Sequence, residues 1–344
     1  MPEPSPTVTV TRRGRLLRLG SAFVVLLAVA GYLAVQYVTG GTGAPGCKVV
    51  SGKGDGATYE FSPEQAVNAA TITAVGTARG LPERAVTIAL ATALQESALR
   101  NIGHGDRDSL GLFQQRPSQG WGTPKEIMDP AYAAGKFYDH LVEVPGYTRL
   151  PLTVAAQRVQ RSGFPQAYAK HEPDATLLAA ALTGRSAATL TCEGRPDATP
   201  DEGADAVRAA LARDFGHEVL QPAGARVDGA SSPAASPSPG GTGTAGAGKS
   251  DGRTVTLPVT ADPAVAGRGA AQRGWQLAHW AVANASALHI KRVTYAGREW
   301  TAGNTDSRWR PAGGGTEGGA EETEDAVGAA GAESTGPVRI VTAP

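Results

Sequence analysis

One carboxylate stands out by its surroundings. Glu96, followed at once by Ser97, comes at the end of an apolar run, Val86 to Leu94, in which only Thr87 and Thr92 are polar. Leu81-Pro82-Glu83 is a helix-start signal, and a helix is expected over 82–98. On that helix Glu96 shares a face with Ala89, Thr92, Ala93 and Leu99. A carboxyl group on such a small, apolar face loses hydration, so its pKa rises, as a general acid acting on a glycosidic oxygen requires. Arg100, four residues on, offers the other reading, an ordinary surface ion pair on one helix.

The residues that follow could complete a site. Residues 103–109, GHGDRDS, are turn formers. Their Asp106 and Asp108 are candidate auxiliary carboxylates beside Glu96, and local caps of the turn are the other explanation. As calcium ligands they lack the remaining positions of an EF-hand loop. In GLFQ at 111–114, Leu112 and Phe113 read as core, while the Gln114 amide can donate and accept at once, which suits sugar hydroxyls and N-acetyl groups. Gln115, Arg116, Gln119 and Trp121 are candidates for the wall of a cleft, with Trp121 equally readable as a buried anchor.

Glu-Ser at a helix end, a Gly-rich turn and then Gly-Leu-Phe-Gln together resemble the lysozyme-like lytic transglycosylase family, with Phe113 where the family has Met. The resemblance runs through Met128-Asp129-Pro130-Ala131-Tyr132 and covers roughly residues 61–191. It implies a helical lysozyme-like domain in which Glu96 is the sole catalytic acid and Ser97 and Gln114 contact substrate. The family's Ala-Tyr-Asn segment is Ala155-Ala156-Gln157 here. Gln157 then stands for the Asn, and Tyr168 is the candidate for the missing phenol, a core Tyr being the alternative. The implied reaction cleaves peptidoglycan glycan strands, as a lytic transglycosylase or a muramidase, with no cofactor and no metal. A non-catalytic cell-wall-binding or scaffolding protein is the alternative, as is an anchored protein whose C-terminal part binds an envelope partner.

Lys+Arg equals Asp+Glu at 32 each, so no overall basic field calls for nucleic acid. Arg12, Arg13, Arg15 and Arg18 precede an apolar run from 19 to 38, the length of a bilayer span. The expectation is an uncleaved signal-anchor in the bacterial cytoplasmic membrane, with residues 1–18 inside and the bulk of the chain extracytoplasmic; a cleaved signal peptide is the rival. In an oxidising compartment Cys47 and Cys192, which bracket the candidate domain, can form a disulfide. Two Cys this far apart and six scattered His make no recognisable metal site.

The remaining elements follow from local signals. A tether is expected over 39–60 and the helical domain over 61–216. Ser62-Pro63-Glu64-Gln65 and Thr123-Pro124-Lys125-Glu126 are capping boxes, and Asp129-Pro130 starts a helix whose Ala133, Phe137 and Leu141 recur every fourth position. Thr153 is expected to cap a helix to Ser162. Residues 217–253 form a Pro/Gly/Ser-rich linker that cannot bury enough apolar surface to fold. Residues 254–344 read as a small α/β domain with a disordered insertion at 313–336, a hairpin turning at Ala296-Gly297, and Trp275, Trp280, Trp300 and Trp309 as either core or a sugar-binding face. The stretch from Trp280 to Thr301 resembles a module appended to bacterial cell-wall hydrolases. The expected fold is therefore mainly α, with a small C-terminal α/β domain and an N-terminal transmembrane helix.

Overall fold

A computed structural model describes residues 46–162, 166–194, 203–220, 252–259, 269–303, 308–313 and 336–343. These hold eight α-helices and two small antiparallel sheets. The expected membrane span at 19–38, most of the linker and nearly all of the 313–336 insertion lie outside the described residues. Among those described, no helix is long and apolar enough to cross a membrane.

The first sheet is where the tether was expected. β1 (Cys47–Val50) and β2 (Thr58–Phe61) form a hairpin, and β3 (Leu190–Cys192) pairs with the other edge of β1. The Gly- and Asp-rich residues between β1 and β2 are its turn rather than a free leader. Cys47 lies directly opposite Cys192 in the β1–β3 register, and the two are joined by a disulfide.

Helices carry the rest of the N-terminal part. α1 (Pro63–Ala78) begins with the expected capping box, the Gln65 N–H donating to the Ser62 hydroxyl and the Ser62 N–H to the Gln65 side chain. α2 (Glu83–Ser97) follows after a short turn. The Thr123 box starts only the four-residue α3 (Pro124–Ile127), and α4 (Pro130–Val142) buries Ala133, Phe137 and Leu141 as the four-residue spacing demands. α5 (Leu152–Gln160) starts after Pro151 rather than at a Thr153 cap and ends two residues early, because Arg161 turns left-handed. α6 (Glu172–Leu182) packs along α2, and α7 (Gly203–Phe215) packs against α1. Thr side chains are tolerated in these buried helices because their hydroxyls find acceptors: Thr73 and Thr92 return to the carbonyls of Ala69 and Ile88, four residues back, and Thr71 donates to the Asp214 carboxylate.

The second sheet has strand order β4-β8-β5-β6-β7, from β4 (Thr254–Leu257), β5 (Ile290–Tyr295), β6 (Arg298–Thr301), β7 (Arg310–Pro311) and β8 (Val338–Thr342). The last strand in the chain thus sits between the first and second of this sheet. Ala296 and Gly297 turn the β5–β6 hairpin with positive φ at both positions, as expected. Across the sheet runs α8 (Ala270–Ala283).

These C-terminal elements, expected as a separate domain, share one core with the helices. All described residues belong to a single compact unit, 45–344. α8 packs on α1, α6 and β3 as well as on the sheet, so it is buried on several sides. The four tryptophans form this seam and not an exposed sugar-binding face. The indole N–H groups of Trp300 and Trp309 donate to the carbonyls of Cys192 and Leu190, and that of Trp280 donates to Asp214. His279, wholly buried, lies between the Ala181 carbonyl and the Thr189 N–H, and burial lowers its pKa to about 4.

Gly184, at φ +77°, marks the closest approach across the seam. A Cβ there would collide with the Gln272 carbonyl oxygen and lie 2.6 Å from the Gln276 nitrogen. Gly184→Ala therefore adds backbone strain to a backbone clash, and a loss of about 1–3 kcal/mol is expected in urea unfolding. A gain of about 0.4–1 kcal/mol, the usual effect of Gly→Ala at a compatible site, would contradict this packing.

Candidate active site

Glu96 and Ser97 are the last two residues of α2. Beyond them Ala98 and Leu99 both take positive φ, 52° and 58°, and the chain reverses. The Leu99 N–H donates to the Ala93 carbonyl and the Ala98 N–H to Leu94, closing the helix end. Side chains from α1 hold the reversed segment: Gln65 donates to the Ala98 carbonyl and Asn68 to that of Leu99, each at 2.8 Å. The reversal takes Arg100 off the helical register. Among the described residues no ion pair joins it to Glu96, so the surface-pair reading fails for a geometric reason.

The Glu96 carboxyl is half-buried, and the Tyr168 hydroxyl donates to its Oε1 at 2.7 Å. Burial raises the pKa of Glu96, and hydrogen bonds from Tyr168 and Gln160 offset part of the rise. Tyr168 is fully buried; burial and the adjacent carboxyl raise its own pKa, so it stays a proton-bearing donor. Tyr168 is thus a core side chain, as one of its two readings had it, and its hydroxyl meets the acid.

The other expected site residues divide. Ser97 donates to the Leu112 carbonyl at 2.8 Å and to Ala93 at 3.1 Å, which ties the end of α2 to the GLFQ loop. Gln160, not among the residues singled out from sequence, holds the next carbonyl, Phe113, at 2.8 Å. Leu112 and Phe113 are buried as expected. Gln114 takes positive φ, and its amide donates to the Gly111 carbonyl at 3.2 Å. Gln157 caps the end of α5 through the Ser162 carbonyl, and its own carbonyl oxygen is buried with no partner among the described residues. Gln115 is buried and donates to Ala133, so it is not part of a cleft wall. Trp121 is half-buried with its ring 4.4 Å from that of His140.

Neither Asp is placed as a second acid or base. Asp108 accepts from the Arg116 guanidinium at 2.7 Å and from the Ser118 N–H at 2.8 Å, and these bonds hold it well below the usual carboxylate range. Asp106 is exposed and contributes its backbone carbonyl to the Ser109 N–H. Among the described residues no group of three or more His, Cys, Asp or Glu side chains could hold a metal ion.

Comparison with known proteins bears on a different part of the chain. Residues 207–323 are similar to the family described as VldE, C-terminal domain. The matched stretch begins within α7 and ends beyond β7, so it lies wholly C-terminal to Glu96 and Tyr168. No curated protein matches the chain.

Because its hydroxyl already serves two backbone carbonyls, Ser97 is a fastening for the loop rather than a free contact for a ligand. Ser97→Ala leaves the Leu112 carbonyl without that donor, and chemical denaturation is expected to show a loss of about 1–3 kcal/mol. Unchanged stability would return Ser97 to the ligand-contacting residues.

Proposed function

We propose that the chain is an enzyme of the bacterial cell envelope that cleaves the glycan strand of peptidoglycan, as a lytic transglycosylase or a muramidase. The observation that carries this reading is the Glu96 carboxyl: half-buried, raised in pKa by that burial, and oriented by the Tyr168 hydroxyl. Such a group keeps its proton at higher pH than an exposed Glu, which is what a general acid needs. The resemblance of residues 61–191 to the lysozyme-like lytic transglycosylases supplies the substrate class. The basic cluster and apolar run at 12–38 support action at the outer face of the membrane.

The chemistry requires one carboxyl in two roles. Glu96 first gives its proton to the leaving glycosidic oxygen as the bond to the muramoyl anomeric carbon breaks. The resulting carboxylate then takes the proton of the muramoyl 6-hydroxyl, whose oxygen closes on that carbon to give a 1,6-anhydro product. Water in place of the 6-hydroxyl gives a reducing end instead. The Tyr168 hydrogen bond stabilises the carboxylate between the two steps and limits the rise in pKa, so Glu96 can serve in both.

Glu96→Gln keeps shape and a hydrogen-bond acceptor for Tyr168 but has no acidic proton. Cleavage of purified peptidoglycan, followed by mass spectrometry of the released fragments, should fall at least about 100-fold. Stability at neutral pH should hold or rise. A carboxyl whose folded pKa is raised favours folding most when protonated, and that contribution is lost as pH climbs through the folded pKa. Glu83 on the same helix is an unsuitable control, because Arg185 grips its carboxylate through two hydrogen bonds. Exposed Glu64→Gln serves instead. Undiminished release of the same products by Glu96→Gln would end the assignment.

A further inference from the structure

Away from Glu96, a groove of about 440 Å³ runs over the outward face of the first sheet to the edge of the second. Lys48 and Thr58 on the β1–β2 hairpin, Thr191 on β3, and Arg298 and Arg308 from the β6–β7 edge line it, with Trp309 at its base. Among the described residues its lining has three cationic side chains and no carboxylate, in a chain whose formal net charge is zero. The positive character is therefore local. Arg298 and Arg308 are exposed, and among the described residues neither forms an ion pair. Among the described residues the Lys48 ammonium pairs with Glu60, at 3.4 Å between two exposed groups, a contact worth about 0–1 kcal/mol and easily exchanged.

Two guanidinium forks, one ammonium and the Thr58 hydroxyl make a lining rich in donors to oxyanions, while the Thr189 and Thr191 hydroxyls already donate to the Ser186 and Lys48 carbonyls. One carboxylate would be satisfied by a single Arg. The volume falls in the range of small-ligand sites, about 300–1,000 Å³, so it admits a repeat unit and not merely one ion. Exposed Val50 supplies apolar surface on which the carbon skeleton of that unit can rest. Single-stranded nucleic acid would ask in addition for exposed rings on which bases stack. Among the described residues the exposed large hydrophobic side chains are Val50, Val142 and Val154, and Trp309 is buried with its N–H held by Leu190.

We infer that this groove, bounded by Lys48, Arg298 and Arg308, is a binding site for a non-nucleic-acid polymer carrying phosphate groups, separate from the Glu96 site. Binding there would hold the protein on a phosphate-bearing surface polymer while the rest of the chain acts elsewhere.

The test measures binding of fluorescently labelled linear polyphosphate to the full-length protein in detergent by anisotropy, with poly-glutamate and single-stranded DNA as competitors. The native protein should bind polyphosphate, and binding should weaken steeply as salt rises. The Arg298→Ala/Arg308→Ala double variant should bind at least about tenfold more weakly. Its melting temperature should match the native protein's, since both side chains are exposed and neither forms an ion pair among the described residues. Arg149→Ala, exposed and outside the groove, should bind as the native protein does. No detectable binding, or equal binding by the double variant, would overturn the inference. Poly-glutamate or DNA competing more strongly than unlabelled polyphosphate would also overturn it, the first pointing to a carboxylate ligand and the second to nucleic acid. Because the measurement involves no turnover, Glu96→Gln should bind normally, and the outcome stands apart from that of the cleavage assay.

Discussion

A carboxyl group held at the C-terminal turn of a buried helix meets two opposing demands, and the N-terminal part of the fold is arranged around them. Apolar surroundings disfavour its charge, and so does the negative end of the helix macrodipole. Hydrogen bonds from Tyr168 and Gln160 work the other way. The balance leaves Glu96 an acid that is harder to ionise than an exposed Glu but still able to ionise. For this to persist the end of α2 must not fray. Gln65 and Asn68 from α1 hold the carbonyls of the reversed segment, and Ser97 and Gln160 hold those of the facing loop. Three of these four are amides and all four lie in helices, so the position of one carboxyl is set by three helices and a loop together.

The C-terminal elements extend the same core. Buried indoles bring large apolar area, and their N–H groups find carbonyls or a carboxylate across the seam. The disulfide between Cys47 and Cys192 closes β1 onto β3, and Trp300 donates to the carbonyl of that same Cys192. The first sheet is therefore locked covalently between β1 and β3, and indole hydrogen bonds tie β3 to the C-terminal elements. This places the outward face of β1, with Lys48 and Val50, next to the β6–β7 edge, and the cationic groove follows from that proximity.

Elements set by local rules were legible in the sequence. The Ser62 capping box, the four-residue spacing on α4 and the Ala296-Gly297 hairpin are each decided by a few neighbouring residues, and each is present. Leu112 and Phe113 could be read as core for the same reason. What local pattern could not show is how distant segments meet. Four-residue strands such as Cys47–Val50 carry too little alternation to stand out from a Gly-rich leader, so β1 and β2 read as tether. Nothing in the first half of the chain announces that α8 will pack on it, and the tryptophans therefore suited a surface face as well as a core. In the site, the expected Glu96 and Tyr168 lie in hydrogen-bond contact, whereas Gln160, one turn beyond Gln157 on the same helix, has no signal in the sequence. The Gln157 amide turns to the Ser162 carbonyl after α5, while that of Gln160 reaches across to the Phe113 carbonyl of the facing loop, a long-range contact that no local pattern announces.

The proposed chemistry depends on the protonation of one side chain, which can be observed directly. Carboxyl-carbon NMR of protein labelled at glutamate, with the Glu96 signal assigned by its loss in Glu96→Gln, gives the titration midpoint without any substrate. Glu96 should titrate above the ordinary 4.5 of a Glu side chain, because burial disfavours its charge. Tyr168→Phe should move the midpoint higher still, since it removes a hydrogen bond that favours the ionised form. A Glu96 midpoint at or below 4.5, unmoved by Tyr168→Phe, would contradict the central claim that this carboxyl is a desolvated acid positioned by Tyr168.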